Sequence, residues 1–115
     1  MISAIRGRGE LQAATRAGHR IPGSVLWCTW LPDSEASSTS VAYAIPRGYG
    51  SAVRRNRLRR RLRALLAETD RHESLPPGVL LIGPHRHVSA ELTSGEVRND
   101  LERLIDRIRR RPTSR

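Results

Sequence analysis

Apolar residues recur at helical spacing in two long stretches of this chain, more weakly in a third, and form three short runs of strand character between them. The clearest periodicity is C-terminal, where Val97, Leu101, Leu104, Ile105 and Ile108 line one face of a helix. That helix starts at Thr93, whose three-residue spacing to Glu96 is that of a capping box. Arg98 with Glu102, and Asp106 with Arg110, stand at the four-residue spacing that supports a helix surface. A central stretch from about Ser51 to about Thr69 carries Leu58, Leu62, Leu65 and Leu66 as an apolar stripe one side wide. Residues 10 to 18, ELQAATRAG, favour a short helix stopped at Gly18.

The strand signals fall between these helices. Residues 24 to 31, SVLWCTWL, are apolar on both faces and read as a buried strand. Residues 41 to 45, VAYAI, set Val41, Tyr43 and Ile45 on one face. A Ser-rich loop joins these two runs, which predicts an antiparallel pair. Pro46, Gly48 and Gly50 then turn the chain, and Ser51 is placed to cap the central helix. After a linker around Pro76 and Pro77, residues 79 to 82, VLLI, read as a third strand. The strand, helix and strand from 41 to 82 form a crossover, which implies parallel pairing. The expectation is an α+β chain in the order α-β-β-α-β-α, a single domain over residues 1–115 with flexible basic ends at about 1–8 and 111–115.

Charge changes the meaning of the central helix. All 21 basic residues are Arg, against 11 acids, for a net charge of +10. Residues 1 to 63 hold twelve Arg and three acids, whereas residues 64 to 107 hold five Arg and eight acids. Seven Arg fall in the ten positions from 54 to 63, and no acid occurs between Glu35 and Glu68. A solvated helix face normally mixes signs, and like charges at four-residue spacing destabilise a helix unless a polyanion neutralises them. A membrane surface fits poorly because the leucines are needed for the core. Asn56 is the one base-reading side chain among the arginines, so the helix suits phosphates and structured RNA better than a DNA major groove.

Other chemistry is sparse. Cys28 is the single cysteine, which excludes an intrachain disulfide and a thiolate zinc cluster. His85 and His87 form an HxH pair with no third ligand at an obvious spacing. Glu68, Asp70 and Glu73 read as helix-end surface residues rather than a nuclease carboxylate cluster. Residues 1 to 10 lack the apolar stretch of a signal peptide, and no run is long enough to span a membrane. The expectation is a cytoplasmic protein with no membrane partner.

Ala52, Arg55, Asn56, Arg57, Leu58, Arg59, Arg60, Leu62 and Arg63, within the segment YGSAVRRNRLRRRLR, together resemble the signature of the ribonuclease P protein family. The predicted order of elements is similar to that family over nearly the whole chain. The resemblance implies a two-layer α/β sandwich with a left-handed crossover around the basic helix. It implies two partners, a catalytic RNA and precursor tRNA with its 5′ leader. The holoenzyme would be an endoribonuclease in which the RNA, with Mg²⁺, does the chemistry; the protein would bind no cofactor or metal of its own and supply no catalytic side chain. Arg55, Asn56, Arg57, Arg59, Arg60 and Arg63 match the RNA-facing motif, Arg54 adjoins it, and Arg47 stands where a basic residue of the preceding loop is expected. Gly48 stands where a second basic residue is usual. A leader cleft would involve Leu11, Thr15 and Thr29, each at a position where the family commonly has an aromatic, together with Trp27, which shares the strand parity of Thr29. A structural RNA-binding protein of the ribosome or translation apparatus is the alternative, and a protein-only nuclease a third.

Overall fold

The computed structural model describes residues 2–4 and 8–111, with side chains described outside 3–4 and 8–11. The elements run β1 (Ile2–Ala4), α1 (Arg8–Ala17), β2 (His19–Pro22), β3 (Leu26–Pro32), β4 (Thr39–Tyr43), a 3-10 turn (Arg47–Tyr49), α2 (Ala52–His72), β5 (Gly78–Pro84) and α3 (Ser94–Arg110). All six expected elements are present, and two strands join them. Ile2–Ala4, expected within a flexible basic end, pairs parallel with β4. Residues 1, 5–7 and 112–115 of the expected ends lie outside the described residues. β2 carries a single inward apolar residue, Ile21, and ends on Pro22, so its sequence has no alternation to betray it.

The sheet order is β1-β4-β5-β3-β2. β4 and β5 pair in parallel, as the crossover through α2 implies, from Thr39 opposite Gly78 to Tyr43 opposite Ile82. The direct pairing expected of the 24–31 and 41–45 strands is not formed. They run antiparallel, but β5 lies between them and pairs antiparallel with β3 along seven positions. β5 is buried at six of its seven residues, so a central position covers more apolar surface than an edge position could.

Strand alternation divides β3 between two environments. Leu26, Cys28 and Trp30 join Val41, Leu80 and Ile82 in a core closed by Leu58, Leu62 and Leu66 of α2 and by Val97, Leu101, Leu104, Ile105 and Ile108 of α3. These two helices and the sheet make the expected sandwich. Thr29, of opposite parity, is buried where α1 ends: a Cβ on Gly18 would lie 2.6 Å from its Cγ2. Helix α1 therefore lies over the other face, packed on β3 and β5 with Ala14 fully buried.

Helix α3 opens with the capping box its sequence predicts, Thr93 Oγ1 accepting the Glu96 N–H and Glu96 Oε1 accepting the Thr93 N–H. Of the expected ion pairs within α3, Arg110 and Asp106 form theirs at 3.1 Å. Arg98 instead reaches Glu68 of α2 at 3.4 Å, because packing of the two helices brings a second carboxylate within its reach. Arg109 meets Glu73 in the same way, 3.2 Å away. Helix α2 runs three residues beyond the expected end, and Asp70 in its last turn accepts the Leu75 N–H, which starts the return to β5.

Candidate nucleic-acid interface

Helix α2 begins where backbone and side chains agree on a start. Gly50 follows the 3-10 turn at φ 149°, where a side chain would be strained, and a Cβ there would collide with Arg54 Cδ. Ser51 caps the helix, its Oγ accepting the Arg54 N–H at 3.3 Å. No acid occupies the first turn. The positive end of the helix dipole is therefore reinforced by Arg54 and Arg55 rather than offset.

Burial of Leu58, Leu62 and Leu66 fixes the rotation of α2, and the arginines divide into two groups around that stripe. Arg54, Arg57 and Arg61, spaced three and four residues apart, face the segment before α3. Arg57 Nη1 donates to Glu91 Oε2 at 2.6 Å, Arg54 Nε lies 3.7 Å from Glu91 Oε1, and Arg61 Nη1 donates to the Leu92 carbonyl at 2.9 Å. Asn56, Arg59, Arg60 and Arg63 lie on the other flank. There Arg59 Nη1 donates to Asn56 Oδ1 at 2.7 Å, Arg63 stands over the Tyr43 ring at 5.9 Å, and Arg60 is exposed. Arg55 Nε donates back to the Gly50 carbonyl, and Arg47 is exposed in the 3-10 turn.

The sequence-predicted RNA contacts thus gather on one helix and the turn before it. Two of them, Arg54 and Arg57, share an internal carboxylate. The acid-free interval from Glu35 to Glu68 hid this, because Glu91 is brought in by the fold from 34 residues away. Arg61, outside the predicted set, is committed to the protein's own backbone.

A second feature lies on the face of the sheet that carries Trp27. An open groove of about 910 Å³ is lined by Arg20, Trp27, Ala44, Pro46, His85 and His87, among others. The Arg20 guanidinium sits 4.4 Å from the centre of the Trp27 ring, whose Nε1 donates to the Pro84 carbonyl at 3.0 Å. Arginine over one face of the indole, with the indole N–H anchored, makes a rigid flat surface of the kind on which nucleobases stack. His85 and His87 stack on each other with centroids 5.0 Å apart, and His85 Nε2 lies 2.8 Å from the Gly23 carbonyl. Pro46 borders the groove and leads directly into the turn carrying Arg47.

Of the expected leader cleft, Trp27 lines this groove. Thr29 does not reach it, because it is buried beneath the end of α1. Thr15 is exposed on α1, and the side chain of Leu11 lies outside the described residues. Arg20 and Arg86 were not among the predicted site residues, and His85 and His87 entered only as an HxH pair without a third metal ligand. Arg20 had no signal in the sequence because its strand was unrecognised.

Burial shifts two groups near these surfaces. The Tyr43 hydroxyl is raised above its ordinary value of 10.0 by burial, with Arg63 pulling the other way. The Cys28 thiol is pushed from 9.0 up to about 12 by burial, partly opposed by Arg107 and Arg20. A thiol so disposed is inert as a nucleophile. Among the described residues, no group of three or more His, Cys, Asp or Glu side chains is placed to hold a metal ion, and no helix is long and apolar enough to cross a membrane.

Comparison with known proteins gives one family. The family model for ribonuclease P matches residues 3–109. The ribonuclease P protein component of Synechococcus elongatus is 33% identical over 108 residues, covering 90% of this chain and 87% of that protein. That of Streptomyces bikiniensis is 28% identical over 113 residues, covering 90% and 89%. Among solved structures, the RNase P protein of Staphylococcus aureus superposes with a TM-score of 0.78 at 16% identity, covering 93% of this chain and 94% of the other. The RNase P protein of Thermotoga maritima gives 0.77 at 20% identity, covering 91% and 96%.

Proposed function

The chain belongs to the ribonuclease P protein family, and we propose that it seats on a catalytic RNA through α2 and the Arg47 turn while holding the 5′ leader of precursor tRNA in the groove beside Trp27. The observation that carries this reading is the flank of Asn56, Arg59, Arg60 and Arg63, which faces away from the leucine stripe and offers planar, fixed donors to phosphate oxygens. The Arg20 and Trp27 stack supports single-stranded RNA in the groove, since base stacking on such a platform tolerates any sequence.

The chemistry in this reading belongs to the RNA, which hydrolyses the phosphodiester that joins leader and tRNA. The protein orients the substrate and neutralises phosphates, and no side chain attacks or transfers a proton. We assign the Mg²⁺ that supports hydrolysis to the catalytic RNA. Three carboxylates that could compete for it, Glu68, Glu73 and Glu91, are each engaged by an arginine. The work of such a holoenzyme is done where precursor tRNA is made, in the cytoplasm. A role as a structural protein of the ribosome is not favoured, since nearly the whole chain is matched by one family.

Reconstitution tests the proposal. Cleavage of precursor tRNA by the ribonuclease P RNA at low Mg²⁺ is expected to accelerate when this protein is added. An unchanged rate and unchanged Mg²⁺ demand would overturn it.

A further inference from the structure

Among the described residues, Glu91 is the one acid that contacts the N-terminal half of the arginine helix, and its surroundings hold it there. Its neighbour Leu92 is buried, donates its N–H to the Tyr49 hydroxyl at 2.9 Å, and gives its carbonyl to Arg61. Thr93 then caps α3. Residue 91 is thus pinned between the 3-10 turn, α2 and the start of α3, so its carboxylate has a fixed origin. That carboxylate takes a short charge-assisted bond from Arg57 Nη1 and approaches Arg54 Nε at 3.7 Å.

Two roles are open to an acid in such a place. It could act as a decoy that phosphates must displace, or as a brace that holds the guanidinium in one orientation. The geometry favours the brace. The Glu91 side chain is only 25% exposed, so a phosphate cannot easily replace it, whereas Arg57 is 44% exposed. Arg57 gives one Nη1 hydrogen to the carboxylate, and a guanidinium has five donors in a rigid plane. Fixing one edge of that plane orients the others without using them. The same carboxylate relieves repulsion between Arg54 and Arg57 before any RNA arrives.

We propose that Glu91 is a positioning residue that presents Arg57, and with it Arg54, to RNA phosphates in a fixed orientation. This rests on the reading of α2 as an RNA-binding surface. Its expected effect is opposite in sign to simple electrostatics, under which deleting an acid from a polyanion-binding protein strengthens binding.

The test is equilibrium binding of the full chain to the ribonuclease P RNA of the same genome, at several salt concentrations, with thermal unfolding followed in parallel. E91A is expected to bind about tenfold more weakly, the loss of one well-directed charge-assisted bond, despite its extra positive charge. E91Q keeps an acceptor oxygen for Arg57, should fall between wild type and E91A, and carries the same test if E91A does not fold. In an R57A background, replacing Glu91 with Ala should cost clearly less than in the wild type, only the contribution through Arg54 remaining. Equal or tighter binding by E91A and E91Q, or an undiminished loss in the R57A background, would overturn the positioning role while leaving the RNA-binding reading intact. A wild-type protein that does not bind the RNA overturns both.

Discussion

The buried carboxylate of Asp100 accepts the backbone N–H of Leu26 at 2.7 Å, joining α3 to the start of β3 across 74 residues of chain. The same carboxylate takes the N–H groups of Ser24 and Val25 at 3.0 and 2.9 Å, so one side chain satisfies three consecutive donors of the turn between β2 and β3. Gly23 lies so close that a Cβ there would collide with Asp100 Oδ2.

Replacing Asp100 with Ala strands the buried Leu26 N–H and takes the partner from the less buried N–H groups of Ser24 and Val25. The expected cost is about 3 kcal/mol or more, since each unsatisfied buried donor costs roughly 1 to 3 kcal/mol and a turn can relax toward water. Urea denaturation measures it, and a drop in stability under about 1 kcal/mol would mean that the turn does not depend on the carboxylate. G23A should destabilise through the same crowding.

The arginines of α2 should separate by role. Replacing Arg59, Arg60 and Arg63 together by Ala is expected to flatten the dependence of log K on log salt by roughly 0.7 to 0.9 for each phosphate that is no longer neutralised. R61A, whose side chain serves the Leu92 carbonyl, should lower the unfolding midpoint and leave that slope nearly unchanged. Equal slopes for the triple variant and wild type would argue against a phosphate-facing flank.

Trp27 should matter for the leader and not for mature tRNA. W27A is expected to weaken binding of leader-bearing precursor tRNA to the holoenzyme by about 1 to 3 kcal/mol, the range for one stacked base. Affinity for tRNA without a leader should be unchanged. Similar weakening for both RNAs would assign Trp27 to packing alone.

Stability should fall at alkaline pH through Cys28. Its thiol ionises at 9.0 when unfolded and at about 12 when folded, so the neutral form is favoured by folding. That contribution is complete below pH 9 and is lost as pH rises toward 12, because the unfolded state gives up its proton first. C28A should lose less stability over this window, as read by denaturant midpoints at about pH 8 and about pH 10.5. Parallel declines for the two proteins would contradict the shift. Alkylation of the wild-type thiol at about pH 8 should follow global unfolding.

Local pattern specified more of this protein than its connectivity. The capping box at Thr93 and Glu96, the Ser51 cap and the leucine stripe of α2 are interactions between residues three or four apart, and each appears as the spacing predicts. The placement of β5 between β3 and β4 was not legible. Residues 24 to 31 and 41 to 45 carry the same apolar pattern whether they pair directly or flank a third strand, and the choice depends on which strand buries both faces.

The same division runs through the site. The sequence by itself determined that α2 would have an apolar side and a basic remainder, since seven arginines and a four-residue leucine repeat leave a helix no other way to bury its stripe. It also carried the family signature around Asn56. Only the tertiary structure decided which arginines remain available to a polyanion. Docking of the 91–92 segment against α2 commits Arg61, braces Arg54 and Arg57, and leaves Asn56, Arg59, Arg60 and Arg63 to the open flank. Charge is written along the chain, but an ion pair needs two groups within a few ångströms, and residues 57 and 91 acquire that proximity only when α3 and the sheet fix the segment between them.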